Sequence, residues 1–150
     1  MALVESAREI VAGSAALALR AAERQVSAHF ETPLRGTGLT LPQFTLMAQI
    51  AGARDDSIGA LARRSGLDPS TLSRNLRGLE RAGLVEITVH KEDKRRRAVW
   101  LTETGARRLE RAIPVWRSAH AAFAERISAR GLRAIAALQD VLAGKASEGG

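Results

Sequence analysis

Two short stretches hold the side chains best suited to chemistry in this sequence. Ser70, Thr71, Ser73, Arg74 and Arg77 follow closely on Pro69, and Lys91, Asp93, Lys94, Arg95, Arg96 and Arg97 crowd one run a little further on. A guanidinium presents paired N–H donors that match phosphate oxygens or the O6/N7 edge of a guanine, and a hydroxyl donates to either. Short hydroxyl side chains also leave room for a helix to sit deep in a groove about 12 Å wide. Such a set points to a polyanion, with duplex nucleic acid the best geometric match.

The first stretch needs a helix behind it. Asp68 is placed to cap backbone N–H groups and Pro69 presets the φ of a first helical position, so a helix is predicted from there to about Ala82, closed by Gly83. With Leu72 as origin and about 100° per residue, Leu76 and Leu79 fall within about 40° of it and form a core stripe. Ser70, Arg74, Arg77 and Arg81 fall opposite, flanked by Thr71, Ser73 and Gly78, while Asn75 lies nearer the buried edge. That face alone reads equally as an ordinary solvated surface. Upstream, Asp55, Asp56 and Ser57 mark a helix that carries Ile58, Leu61 and Ala62 inward and ends at Ser65 and Gly66, which makes the pair a helix-turn-helix candidate.

After Gly83 the period changes. Leu84, Val85, Ile87 and Val89 are β-type residues, and Ala98, Val99, Trp100 and Leu101 read as a return strand, so the basic run between them is the tip of a hairpin. Five of the seven residues 91–97 are Lys or Arg, which weighs against a merely soluble turn. A basic ribbon beside a helix-turn-helix can follow the adjacent minor groove and insert an Arg where the potential is most negative. Asp93, two residues from Arg95, is positioned to hold its guanidinium in one orientation.

The rest of the chain supports this lobe. Residues 3 to about 30 carry a helical pattern on Val4, Ala7, Val11, Ala15, Ala18 and Ala22, broken by Pro33, Gly36 and Gly38. A helix over about 41–51 has Thr40 as N-cap and Pro42 in its first turn. A long helix starts after Thr102 and continues towards Ile127, with Pro114 predicting a kink or break. Gly131 opens a last helix on Leu132, Ile135, Leu138 and Leu142, and the polar tail 144–150 is expected to be disordered.

Composition bounds the alternatives. The 150 residues carry a net charge of +7, 45% hydrophobic and only 3% aromatic side chains. Residues 57–102 hold ten Lys or Arg against five Asp or Glu, so a third of the chain carries most of the excess. The absence of Cys excludes disulfides, thiolate metal sites and thiol redox sensing. The apolar stretch 10–19 is too short for a bilayer span, and Glu5 and Glu9 occupy the place where a secretory leader carries cations, so a cytoplasmic address without membrane contact is expected.

His29, His90 and His120 are isolated in sequence, and no metal or cofactor is expected. Ser6, Ser14, Ser27 and Ser118 sit in helical patterns without a paired base, and there is no Gly-rich phosphate loop, so an enzyme is not expected.

Taken together, these residues resemble the MarR family. The runs 38–44 (GLTLPQF), 58–74 (IGALARRSGLDPSTLSR), 79–85 (LERAGLV), 93–95 (DKR) and 101–105 (LTETG) are similar to that family's second helix, helix-turn-helix, wing entry, wing tip and following helix start. The likeness spans about residues 3–142. It implies a mainly α fold with a small two- to three-stranded β-wing: a winged helix-turn-helix lobe at about 39–101, and dimerisation helices at about 3–31 and 103–143 that intertwine with a second copy. It further implies Ser70, Thr71, Ser73, Arg74 and Arg77 at the major groove and Arg95 in the minor groove of a pseudo-palindromic operator. Repression would be relieved by a small aromatic ligand, often a phenolic acid, in a cleft between lobes. Phe30, Phe44, Phe123, Trp100 and Trp116 could line such a cleft, although buried aromatics are more often core or interface. The alternative is a winged-helix module that meets protein or RNA without operator specificity.

Overall fold

A computed structural model describes residues 1–89, 91–93 and 96–144. The chain runs through helices α1 (Ala2–Gly13), α2 (Ala15–Leu34), α3 (Leu41–Ala51), α4 (Ile58–Ser65) and α5 (Pro69–Arg81), strands β1 (Val85–Val89) and β2 (Arg97–Leu101), and helix α6 (Glu103–Leu142). This is a mainly helical winged-helix fold.

Local chemistry explains most boundaries. Thr40 and Gln43 form a reciprocal capping box at the start of α3, with Pro42 in the first turn. Ser57 caps α4 by accepting from the Ala60 N–H (3.2 Å), and Gly66 closes that helix at φ 64°. Gly83, at φ 69°, turns the chain from α5 into the hairpin. The hairpin is antiparallel, with Val85 opposite Leu101 and Val89 opposite Arg97. A third strand shrinks to one bridge between Ser57 and Ala98, reinforced by the Val99 N–H donating to the Asp56 carbonyl (2.9 Å).

The core sits where α3 meets its neighbours. Leu34, Leu46, Met47, Leu61, Leu79 and Leu84 are fully buried there. Thr102 locks α6 to the hairpin's base: its hydroxyl donates to the Gly83 carbonyl (2.6 Å) and accepts from the Gly105 N–H (3.0 Å). Gly105 is required at that contact, because a Cβ there would collide with the Leu84 carbonyl oxygen.

Four expectations change. The N-terminal helical pattern is two helices, since Ser14 leaves helical geometry at ψ 103° and caps α2 through the Leu17 N–H (3.3 Å). Pro33 does not end α2; the helix continues to Leu34, then tightens into a 3-10 turn over Arg35–Thr37 that Gly38 closes at φ 75°. Pro114 does not break α6 either, because the carbonyl it deprives, that of Glu110, lies with Pro114 on an exposed face where water can satisfy it. The break falls at Ser128, which adopts φ 65°, ψ 163°; its hydroxyl accepts a long bond from Gly131 N–H (3.5 Å), so the last helical segment starts at Ser128 rather than Gly131. Of the tail expected to be disordered, 145–150 lie outside the described residues.

Four of the five aromatic residues, Phe30, Phe44, Trp116 and Phe123, pack between α2, α3 and α6. Phe30, Phe44 and Phe123 are buried and Trp116 half-buried, while Trp100 is 38% exposed on β2. His29 and His120, distant in sequence, join the same ring cluster: His29 lies edge-on to Phe30 (centroids 5.2 Å) and His120 lies against Trp116 (4.9 Å). The His29 Nε2–H donates to the Ala119 carbonyl (2.8 Å), tying α2 to α6 across 90 residues. Among the described residues no helix is long and apolar enough to cross a membrane, and no group of three or more His, Asp or Glu side chains is gathered for a metal.

Candidate nucleic-acid interface

Helix α5 buries one side and exposes the other. Leu72, Leu76 and Leu79 are 3%, 3% and 0% exposed, whereas Ser70, Ser73, Arg74, Arg77 and Arg81 are all exposed. Burying three leucines holds the helix by its apolar stripe and frees the polar face from structural duty. Asn75 is half-buried, consistent with its place near the stripe.

The first turn is more tightly organised than the sequence suggested. The Asp68 carboxylate accepts from the Thr71 N–H (2.9 Å), the Ser70 hydroxyl (2.6 Å) and the Thr71 hydroxyl (2.6 Å). These bonds, the Ser70 hydroxyl first, hold the Asp68 carboxyl far below the usual carboxylate range. Ser70 and Thr71 thus have their protons committed to Asp68 and present lone pairs outward, as acceptors. Thr71 is half-buried. Donation from this face comes from Ser73 and the arginines. Arg77 lies back along the helix, its Nε–H donating to the Ser73 carbonyl (3.4 Å). Among the described residues, no hydrogen bond or ion pair holds Arg74.

At the wing, Lys91, Asp93, Arg96 and Arg97 are exposed. The Arg96 N–H donates to the Asp93 carbonyl (2.8 Å), which closes the tip on its own backbone. Lys94 and Arg95, with His90, lie outside the described residues, and so does the orienting contact expected between Asp93 and Arg95.

One link escaped the sequence reading. The Asp55 carboxylate accepts from the Ser57 N–H (2.9 Å), and the Arg64 guanidinium donates to the Asp55 carbonyl (3.3 Å). Those hydrogen bonds with Ser57, helped by the positive charges of Arg96 and Arg64, lower the Asp55 carboxyl from its ordinary value. The tip end of the wing and the segment before α4 are therefore electrostatically linked. Asp55 was legible as a helix-start residue, but nothing local connects it to Arg96, forty-one positions away.

Comparison with known proteins places this geometry. The MarR family profile matches residues 37–96, which run from the turn before α3 through β1 and stop short of β2. The transcriptional regulator HosA of Escherichia coli is 38% identical over 91 residues, 61% of this chain and 67% of that protein. The HTH-type transcriptional repressor YetL of Bacillus subtilis is 36% identical over 81 residues, 53% of this chain and 48% of that protein. The crystal structure of the M. tuberculosis transcriptional regulator MosR in complex with DNA superposes with a TM-score of 0.78 at 32% identity, covering 87% of this chain and 97% of that one. A buried leucine stripe, an Asp-capped polar helix and a basic hairpin thus occur together in a chain that belongs to the MarR family of transcriptional regulators.

Proposed function

We propose that this protein binds duplex DNA as a homodimer and represses transcription from a pseudo-palindromic operator until a small aromatic ligand releases it. The observation that carries this reading is α5: a helix whose apolar stripe is fully engaged and whose opposite face exposes Ser73, Arg74, Arg77 and Arg81 as donors, Arg74 held by no hydrogen bond or ion pair among the described residues. In this reading Ser70, Thr71, Ser73, Arg74 and Arg77 meet the major groove. Lys91, Lys94, Arg95, Arg96 and Arg97 meet the backbone and adjacent minor groove, and Asp93 orients Arg95. The DNA complex of MosR and the repressor role of YetL support the assignment by similarity.

The division of labour follows the sequence expectation. The lobe at about 39–101 reads DNA, and the helices at about 3–31 and 103–143 pair two chains. Leu3 (82% exposed), Ile10 (69%) and Val141 (61%) leave apolar helix uncovered at both ends of one chain, which is costly unless a second chain covers it. A two-fold dimer presents two α5 helices to half-sites about one helical turn apart. The ligand acts by preferring a lobe spacing that fits only one half-site, which shifts the population off DNA. Such work belongs in the cytoplasm, without membrane contact.

Selection of bound sites from random duplexes tests this. The expected outcome is a two-fold symmetric consensus, with Arg95→Ala weakening binding to it by about 1–3 kcal/mol while the dimer mass stays unchanged. Salt-sensitive, sequence-blind binding with no consensus would instead favour a winged-helix module for protein or RNA.

A further inference from the structure

A groove of about 360 Å³ lies between α2, α3 and the turn that leads into α5. Leu41 and Leu46 of α3 and Leu67 of the turn give it an apolar floor. Glu23 and Glu31, two turns apart on α2, stand along its rim, and they are the charged side chains among its described lining. The Ser27 hydroxyl between them donates to Glu23 Oε1 (2.6 Å). In a chain of net charge +7, the charged side chains lining this concave, partly apolar place are thus both acidic.

We propose that this groove is an effector site for a small lipophilic cation. The apolar floor takes the body of such a ligand, and the two carboxylates offset a diffuse charge that loses little hydration on entering. The phenolate implied by the family resemblance would meet like charge here and is disfavoured. A second copy's α1 fits poorly as the occupant, since Glu5 and Glu9 against the single Arg8 would bring acid to acid. The groove's walls make it a lever. Its turn holds Ser65, whose hydroxyl accepts from the Leu67 N–H (3.3 Å), and Asp68, which caps α5, follows directly. An occupant that favours one spacing of α2 against this turn biases the start of α5. The consequence for DNA rests on the regulator reading above; the binding does not.

Calorimetry of the full-length protein without DNA compares tetraphenylphosphonium with its isosteric anion, tetraphenylborate. The cation is expected to bind once per chain, Glu23→Gln with Glu31→Gln to lower its affinity about tenfold or more, and the borate, titrated in a separate sample, to show no binding at this site. Saturating cation then weakens operator binding of the wild type by about 5- to 150-fold and spares the double variant. Equal cation affinity in the double variant, borate that binds in its separate titration as tightly as the cation and equally to the double variant, or operator affinity unmoved by bound cation each overturns the proposal. A change in dimer mass in the double variant also overturns it, by assigning the groove to the subunit contact. Wild-type protein that selects no symmetric duplex in the absence of cation defeats the regulator reading instead, on which the calorimetry does not depend.

Discussion

Helices α5 and α1 use the same kind of residue to opposite ends. Leu72, Leu76 and Leu79 of α5 are spent on the chain's own core, whereas Leu3, Val4, Ile10 and Val11 of α1 are 53–82% exposed and α1 contains no buried residue. Amphipathic periodicity states that a helix has an apolar side; it does not state which molecule covers it. In α5 the covered side supplies the packing, and beyond the Asp68 cap the polar side is left exposed to solvent. In α1 the apolar side is left uncovered by its own chain, and only under the proposed function does a second copy cover it.

The contrast can be broken most severely at α1. Val4→Glu with Val11→Glu is expected to halve the mass in light scattering at micromolar concentration. Because one half-site is then lost, operator affinity falls by about 10²–10⁴ with the thermal signature of the lobe retained. Full mass in that variant would return α1 to the status of an exposed helix.

At α5 the order of effects reverses, stability being lost before assembly. Leu76→Ala leaves a cavity in a stripe with 3% exposure and costs about 2–5 kcal/mol in denaturant titration. Arg74→Ala, on the opposite side of the same helix, is expected to leave the melting temperature within about 1 °C. It weakens operator binding by about 1–3 kcal/mol in fluorescence anisotropy. A stability loss at Arg74 that matched Leu76 would show that the polar face has a structural task after all.

The smallest effect belongs to the cap. Asp68→Ala removes an acceptor from the first turn and is expected to lower the melting temperature by about 2–4 °C at pH 7. The folded Asp68 carboxyl is held below its ordinary 3.8, so its stabilising share is complete above that value and fades as pH falls towards the folded one. Wild type and variant should therefore converge in melting experiments as pH drops below about 4. A gap that persisted in acid would remove the carboxylate from the argument.

What the residues declared by themselves was local. The Thr40 cap with Pro42, the Asp68 cap with Pro69, the Gly66 and Gly83 turns and the leucine stripe of α5 are settled within a few positions, by hydrogen bonds to the first turn, the φ that a residue tolerates and a 3.6-residue period. The hairpin was legible from its change of period, and the basic tip from charge density alone.

Tertiary structure decided the rest. The Ser14 interruption lay inside an unbroken apolar drift, and α6 runs through Pro114 where Pro114 and Glu110 are both exposed, a fact about packing. The bond from His29 to Ala119, the ring cluster it joins, the electrostatic influence of Arg96 on Asp55 and the meeting of Glu23 and Glu31 with the leucines of another helix all join positions far apart in the chain. Such meetings follow from how preformed helices are packed to bury their stripes. No short window of sequence contains both partners, so periodicity and capping, which act through neighbours, cannot specify them.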